Sequence, residues 1–202
     1  MSETAETNRE EASNPTYTLS DWVTPHISTW RKWTKPLRAR RAIDVLEIGS
    51  FEGRSTLAWL ELLPHATVTC VDLFGRPGTQ TYFGDSYEAR FDQNTEHQRA
   101  RIDKRVGSSS NVLPQLAIEG YRCDLIYIDA HHGAPSVYAD AALSWPMLRC
   151  DGILIFDDYE WKPHLPETER PPLGVKTFLS GMSGSYEVLA REKQFIVRRV
   201  PD

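Results

Sequence analysis

Four short apolar runs, each broken off by a glycine or an acid, constrain this chain more than any other feature. They are Ala42–Ile48, Thr67–Val71, Asp124–Ile128 and Gly152–Phe156. Runs that are apolar on both faces have the profile of parallel strands buried on both sides. Between them lie segments with helical spacing. Arg54–Leu63 is stopped by Pro64, and Ser109–Glu119 accommodates Pro114 as a first-turn residue or a kink. Val137, Tyr138, Ala141, Ala142, Trp145 and Leu148 form a helical stripe. The spacing also predicts a charged helix over Asp85–Arg101, a short strand at Lys104–Val106, a short helix over Gly174–Leu179 and two pairing strands, Tyr186–Leu189 and Gln194–Val200. Upstream, Ser20-Asp21 is expected to cap a helix carrying Trp22, Ile27, Trp30 and Trp33 and ending before Pro36. Strands alternating with helices imply an α/β fold: a doubly wound, mostly parallel seven-stranded sheet with an antiparallel C-terminal strand.

On such sheets ligands bind beyond the carboxyl ends of the strands, where strand order reverses. The chemistry-bearing residues follow strands, as that rule requires. The first turn reads Glu47-Ile48-Gly49-Ser50-Phe51-Glu52-Gly53-Arg54-Ser55. Gly49 and Gly53 permit positive φ and a close ligand approach, and the helix start offers unpaired N–H groups. The spacing is neither that of dinucleotide binders nor that of a P-loop. Glu47 repels a pyrophosphate but suits a cationic ligand. Asp72, followed by Leu73, closes the second strand about 20 residues beyond the turn, where an acid accepts hydrogen bonds from a ribose diol. The plain alternative is a packing turn and a solvated acid.

Further on, Gly107-Ser108-Ser109-Ser110 leads into Leu113-Pro114-Gln115-Leu116. Asp129-Ala130-His131-His132 follows the Asp124–Ile128 run, and Asp157-Asp158-Tyr159 follows Gly152–Phe156. Asp129, Asp157 and Asp158 would converge at one sheet edge. Three gathered carboxylates repel one another unless a cation neutralises them, and a hard divalent ion with oxygen ligands is the simplest solution.

Glu47-x-Gly49-x-x-x-Gly53 followed by Val71-Asp72 resembles the first two motifs of class I S-adenosylmethionine (SAM)-dependent methyltransferases. The Gly107–Leu116 segment is similar to the adenine-contacting stretch of the catechol O-methyltransferase group. The acids resemble those of metal-dependent O-methyltransferases, including those that modify antibiotic sugars (the macrocin and mycinamicin group). The resemblance covers Ala42 to Phe195. It implies SAM held by Glu47, Gly49, Ser50, Phe51, Gly53, Ser55, Asp72, Leu73, Ser108, Ser109 and Asp129. It implies Mg²⁺ held by Asp129, Asp157 and Asp158, with Asp129 and His132 as catalytic residues. Catechol-type members place a lysine base three residues after the first Asp. His132 stands there instead, which favours a sugar or other hydroxyl acceptor, and His131 is the competing base. In this scheme the metal lowers the pKa of the acceptor hydroxyl and His132 removes the proton.

Other readings of the same residues are a metal-independent methyltransferase, a non-catalytic SAM-binding protein and a nicotinamide-dependent oxidoreductase. Asp129-x-His131-His132 is also similar to metallophosphoesterase motifs. Ser109 and Ser110, placed near the adenine by the methyltransferase resemblance, are also suitable helix caps, and Asp157-Asp158 a suitable turn cap.

The formal net charge of −5 argues against nucleic acid as the main partner. The basic run Arg31–Arg41 reads as a solvated face, or else as a contact for an acidic substrate or a second subunit, so homo-oligomerisation stays open. Residues 1–16 are polar and acid-rich and are expected to form a disordered tail ahead of one domain spanning 17–202. No run is long and apolar enough to span a bilayer. Three cysteines with no metal-site spacing are expected as small core residues in a reducing compartment, which points to the cytoplasm. The segment Phe74–Arg101, with Arg76, Tyr82, Phe83, Asp85 and Tyr87, is long enough to form a lid or substrate wall. His26, His65, His97 and His164 show no partner pattern.

Overall fold

The computed structural model describes residues 15–75 and 87–201. Seven strands form one sheet: β1 (Ile43–Ile48), β2 (Ala66–Asp72), β3 (Ile102–Val106), β4 (Cys123–Ile128), β5 (Leu148–Phe156), β6 (Tyr186–Arg191) and β7 (Phe195–Arg199). Their order is β3-β2-β1-β4-β5-β7-β6. All neighbouring pairs are parallel except those of β7, which runs antiparallel to both β5 and β6. The doubly wound, mostly parallel sheet with one reversed C-terminal strand is therefore present. Strand order reverses between β1 and β4, which puts the ligand crevice beyond Ile48 and Ile128.

Among the described residues six α-helices cover the sheet: α1 (Ile27–Trp33), α2 (Arg54–Leu62), α3 (Glu88–Thr95), α4 (Ser109–Ile118), α5 (Ala134–Ser144) and α6 (Pro171–Gly181). One core packs Trp30, Trp59 and Phe91 of α1, α2 and α3 against Val45, Val68, Leu125 and Tyr127. The other packs Leu113, Val137 and Phe178 of α4, α5 and α6 against Leu46, Ile126 and Leu154. Successive residues of β1, β2, β4 and the second half of β5 feed opposite cores, which is why those stretches are largely apolar on both faces.

Several boundaries differ from the sequence expectation. The first helix opens as a 3₁₀ turn at Thr24, because Asp21 Oδ1 accepts from the Val23 and Thr24 amides, and Trp22 stays outside and exposed. The charged helix after Glu88 passes into a 3₁₀ segment at Glu96–Arg101. Its expected start at Asp85 lies outside the described residues, as do Arg76, Tyr82 and Phe83. Pro114 sits inside α4, which forgoes one backbone bond there. β5 begins at Leu148, four residues earlier than its apolar part, and its exposed first half carries Cys150, so that cysteine is not a core residue. Thr16, assigned to the tail from sequence, exchanges two hydrogen bonds with the Asn94 side chain. None of the described helices is long and apolar enough to cross a membrane.

Candidate active site

The turn after β1 is drawn tight by its own backbone. Gly49 has φ 92° and Gly53 has φ 83°. A Cβ at Gly49 would overlap the carbonyl oxygen of Asp129, so this glycine lets the end of β1 lie directly against the end of β4. A Cβ at Gly53 would lie 2.7 Å from Thr95 Cγ2 and 3.2 Å from the Phe91 ring. Both glycines thus serve packing, where the sequence suggested space for a ligand.

Asp72 closes the turn from β2. Its Oδ2 accepts from the amides of Ser50 and Phe51, each at 2.8 Å. Its Oδ1 accepts from the Phe74 amide at 2.8 Å and the Tyr87 hydroxyl at 2.7 Å. The acid expected to face a ribose therefore also fastens the turn to the sheet.

The predicted cofactor residues separate by burial. Gly49, Phe51, Asp72, Leu73, Ser108, Ser109 and Asp129 are partly exposed. Glu47, Ser50, Gly53 and Ser55 are buried. Glu47 is the clearest correction, because it is sealed in the sheet instead of lining the crevice. Its Oε2 accepts from the Thr56 hydroxyl and from the Cys70 thiol, while Oε1 has no partner. Burial pushes its carboxyl above the usual range. The residue before α4 is Ser108, one position ahead of the serines expected to cap it, and its hydroxyl makes no capping bond. It faces the Ser110 hydroxyl at 3.0 Å.

At the ends of β4 and β5 the acids converge, with one change of partner. Ligand atoms of Asp129, His132 and Asp158 all lie within 4.8 Å of one another. His132 Nε2 is 3.2 Å from Asp158 Oδ2 and 3.7 Å from Asp129 Oδ1. Asp157, expected as a metal ligand, turns toward Tyr127, whose hydroxyl donates to its Oδ2. The same hydroxyl stands 3.2 Å from Asp129 Oδ2. Asp157 Oδ1 accepts from the Asp158 amide at 2.7 Å. That bond accompanies a positive φ of 51° at Asp158, which swings its side chain back toward His132. His131 is exposed, its Nδ1 accepts from the Gly133 amide, and it is not a member of the cluster.

Burial and the charges of Asp157 and Asp158 hold the Asp129 carboxyl well above the usual carboxylate range. Burial, then Asp157, raises Asp158 as well. Burial lowers His132, against the pull of Asp158 and Asp157. Trp161 meets the His132 ring edge-on at 4.5 Å and covers it. Two residues escaped the sequence reading. Tyr127 bridges two acids although it sits inside an apolar strand, and the signal was its position two residues before Asp129. His26 reaches within 4.0 Å of Asp157 Oδ1 from the N-terminal segment, and no local pattern marks it.

A methyltransferase domain model matches residues 46–159, more than half of the chain and all the strand ends just described. The chain belongs to this methyltransferase family. The methyltransferase also resembles solved structures. The MycE methyltransferase of the mycinamycin biosynthetic pathway, in complex with Mg and SAH, superimposes with a TM-score of 0.63 at 16% identity, over 92% of this chain and 52% of that one. A caffeoyl-CoA O-methyltransferase-like protein from Staphylococcus aureus gives a TM-score of 0.64 at 13% identity, over 91% and 85% of the two chains. An O-methyltransferase-like protein from Klebsiella pneumoniae gives 0.64 at 18% identity, over 92% of each. The chain spans about half the length of the MycE protein. At these identities the likeness establishes the Rossmann-like methyltransferase fold. No curated protein sequence matches the chain. The family match sets aside the oxidoreductase and phosphoesterase readings.

Proposed function

We propose that this methyltransferase takes SAM in the crevice between β1 and β4 and methylates a hydroxyl oxygen of a small molecule, assisted by Mg²⁺. The observation that carries the reading is the meeting of Asp129, His132 and Asp158 at the strand ends, directly against the glycine turn. The neighbours support it, since the MycE complex holds Mg and SAH.

The donor set fits a hard divalent cation. Two carboxylates stand within reach of one point with the imidazole beside them, and both acids are pushed toward protonation by burial and by neighbouring carboxylates, which a bound cation would relieve. Asp129 and Asp158 would supply the carboxylates. Asp157, tied to Tyr127, would hold Asp129 from behind. SAM supplies an electrophilic methyl carbon, and the ion supplies a Lewis acid that favours the ionised acceptor hydroxyl.

The chain's own residues do the rest. His132, kept neutral at neutral pH by burial, offers Nε2 to the hydroxyl proton. Asp158 Oδ2, 3.2 Å from the same nitrogen, stabilises the imidazolium once that proton has been taken. Trp161 limits water at the ring. Phe51, Asp72, Leu73, Ser108 and Ser109, all partly exposed, would contact the nucleoside. Glu47, Ser50, Gly53 and Ser55 would keep the turn in shape. Alignment of the two substrates accounts for most of the remaining acceleration.

Calorimetric titration with SAM, with and without Mg²⁺, tests this on wild type, Asp158→Ala and Asp72→Ala. SAM is expected to bind wild type and Asp158→Ala alike. The Mg²⁺ signal is expected to vanish in Asp158→Ala, and Asp72→Ala should weaken SAM at least about tenfold. Mg²⁺ binding unchanged in Asp158→Ala would remove that acid from the site. The His132–Asp158 pair is complete without an ion, so methyl transfer that survives EDTA would replace this reading with a metal-independent one.

A further inference from the structure

The chain that leaves the acid cluster leads straight into a cavity of about 510 Å³, lined in part by Tyr159, Glu160, Glu167, Arg170, Lys176 and Arg191. It opens at the same end of the sheet. Arg191 closes β6 opposite Phe195, and Phe195 pairs with Phe156, the residue before Asp157. Arg170 stands immediately before α6, whose first turn lies at this edge. Glu160 follows Asp158 by two residues, so their Cα atoms are separated by at most about 7 Å. The 167–169 turn also comes close to the chain just after the base. A Cβ on Gly133, the neighbour of His132, would sit 3.9 Å from the carbonyl oxygen of Thr168. The cavity wall and the acids therefore lie on neighbouring stretches of chain.

The lining has an uneven charge. Arg170, Lys176 and Arg191 form no ion pair among the described residues, and neither do Glu160 and Glu167. Arg170 Nε is buried and has no acceptor. A buried guanidinium N–H left unmatched is costly, and its planar fork fits a carboxylate. Three cations against two acids leave a single positive charge, which one carboxylate balances. A doubly charged phosphate would meet more repulsion from Glu160 and Glu167.

We propose that this cavity receives a carboxylate carried by the methyl acceptor, which makes the acceptor class small hydroxy acids. The hydroxyl lies at Asp129, His132 and Asp158, and the carboxylate lies at Arg170 and Arg191. This assignment rests on the methyl-transfer reading above.

Ligand-observed NMR titration of the full chain with 4-hydroxybenzoate, its methyl ester and inorganic phosphate tests it, with a SAM titration on the same preparations. The acid is expected to bind wild type at least tenfold tighter than the ester. That ratio should fall toward one in Arg170→Met and Arg191→Met. Lys176→Met, on an exposed part of α6, is the substitution least able to disturb folding, and it should lower the ratio by a smaller factor. Equal binding of acid and ester, binding of neither, or a ratio unchanged in all three variants would overturn the proposal. Phosphate displacing the acid at equal concentration would overturn the choice of a carboxylate. Failure of SAM to bind would refute the methyl-transfer reading, while the acid-to-ester ratio would still decide the anion preference of the cavity.

Discussion

Single residues carry much of the constraint at this site, and two of them make sharp predictions. Asp140 is buried in α5, and burial pushes its carboxyl up to about 6, opposed by a hydrogen bond from Ser109. The folded state therefore holds the proton more tightly than the unfolded chain does. Stability from this group is fully present below about pH 4 and is lost as pH rises through about 6. A gap of that size corresponds to about 3 kcal/mol. Asp140→Asn should flatten the loss, so denaturant midpoints for the variant should exceed wild type at pH 8 and approach it at pH 4. Gly49→Ala should act in the opposite sense. The added Cβ meets the Asp129 backbone, and alanine resists a φ of 92°. We expect a loss of more than about 2 kcal/mol in urea unfolding, with weaker SAM binding, because Asp129 must move.

At the scale of elements, the strands are tied at both ends. At the C-terminal ends, Asp72 joins β2 to the turn after β1, and Tyr127 joins the acids following β4 and β5. At the opposite end, buried Asp124 accepts from Arg40 and from Arg149 at 3.0 Å, and from the Asp44 amide at 2.9 Å. This acid joins β1, β4 and β5 where the chain enters the sheet. Asp124→Ala would leave Arg40 without its partner and Arg149 with only Asp44, so a loss of about 3 kcal/mol is expected in urea unfolding. SAM affinity should change little, since the network lies at the end of the sheet away from the crevice.

At the scale of the molecule, residues 26–33 pack against the strands that end in the acids. Trp30 stacks on Trp59 with centroids 3.9 Å apart and meets Tyr127 at 5.2 Å, while its Nε1 donates to Gln194 Oε1 at 2.8 Å. Helix α1 thus clamps the sheet beneath Tyr127 and presents His26 to Asp157. Trp30→Ala should cost about 3–5 kcal/mol. It should also lower Mg²⁺ affinity, because the Tyr127 that holds both acids loses its packing. Urea unfolding followed by fluorescence, with Mg²⁺ titration on the same variant, checks both.

The alternation of buried runs with helical stripes determined the doubly wound sheet, because a strand covered on both faces must be apolar on both. The sequence likewise marked Asp129, His132 and Asp158, since ligands gather where such strands end. The apolar patterning was silent on the polar first half of β5, where exposed residues carry no burial signal. Tertiary structure alone decided that Asp157 turns to Tyr127 and that Glu47 is sealed inside. It also brought His26 to Asp157. Those outcomes depend on which side chains compete for the same few donors and acceptors once distant segments pack together, and spacing along one chain does not record that competition.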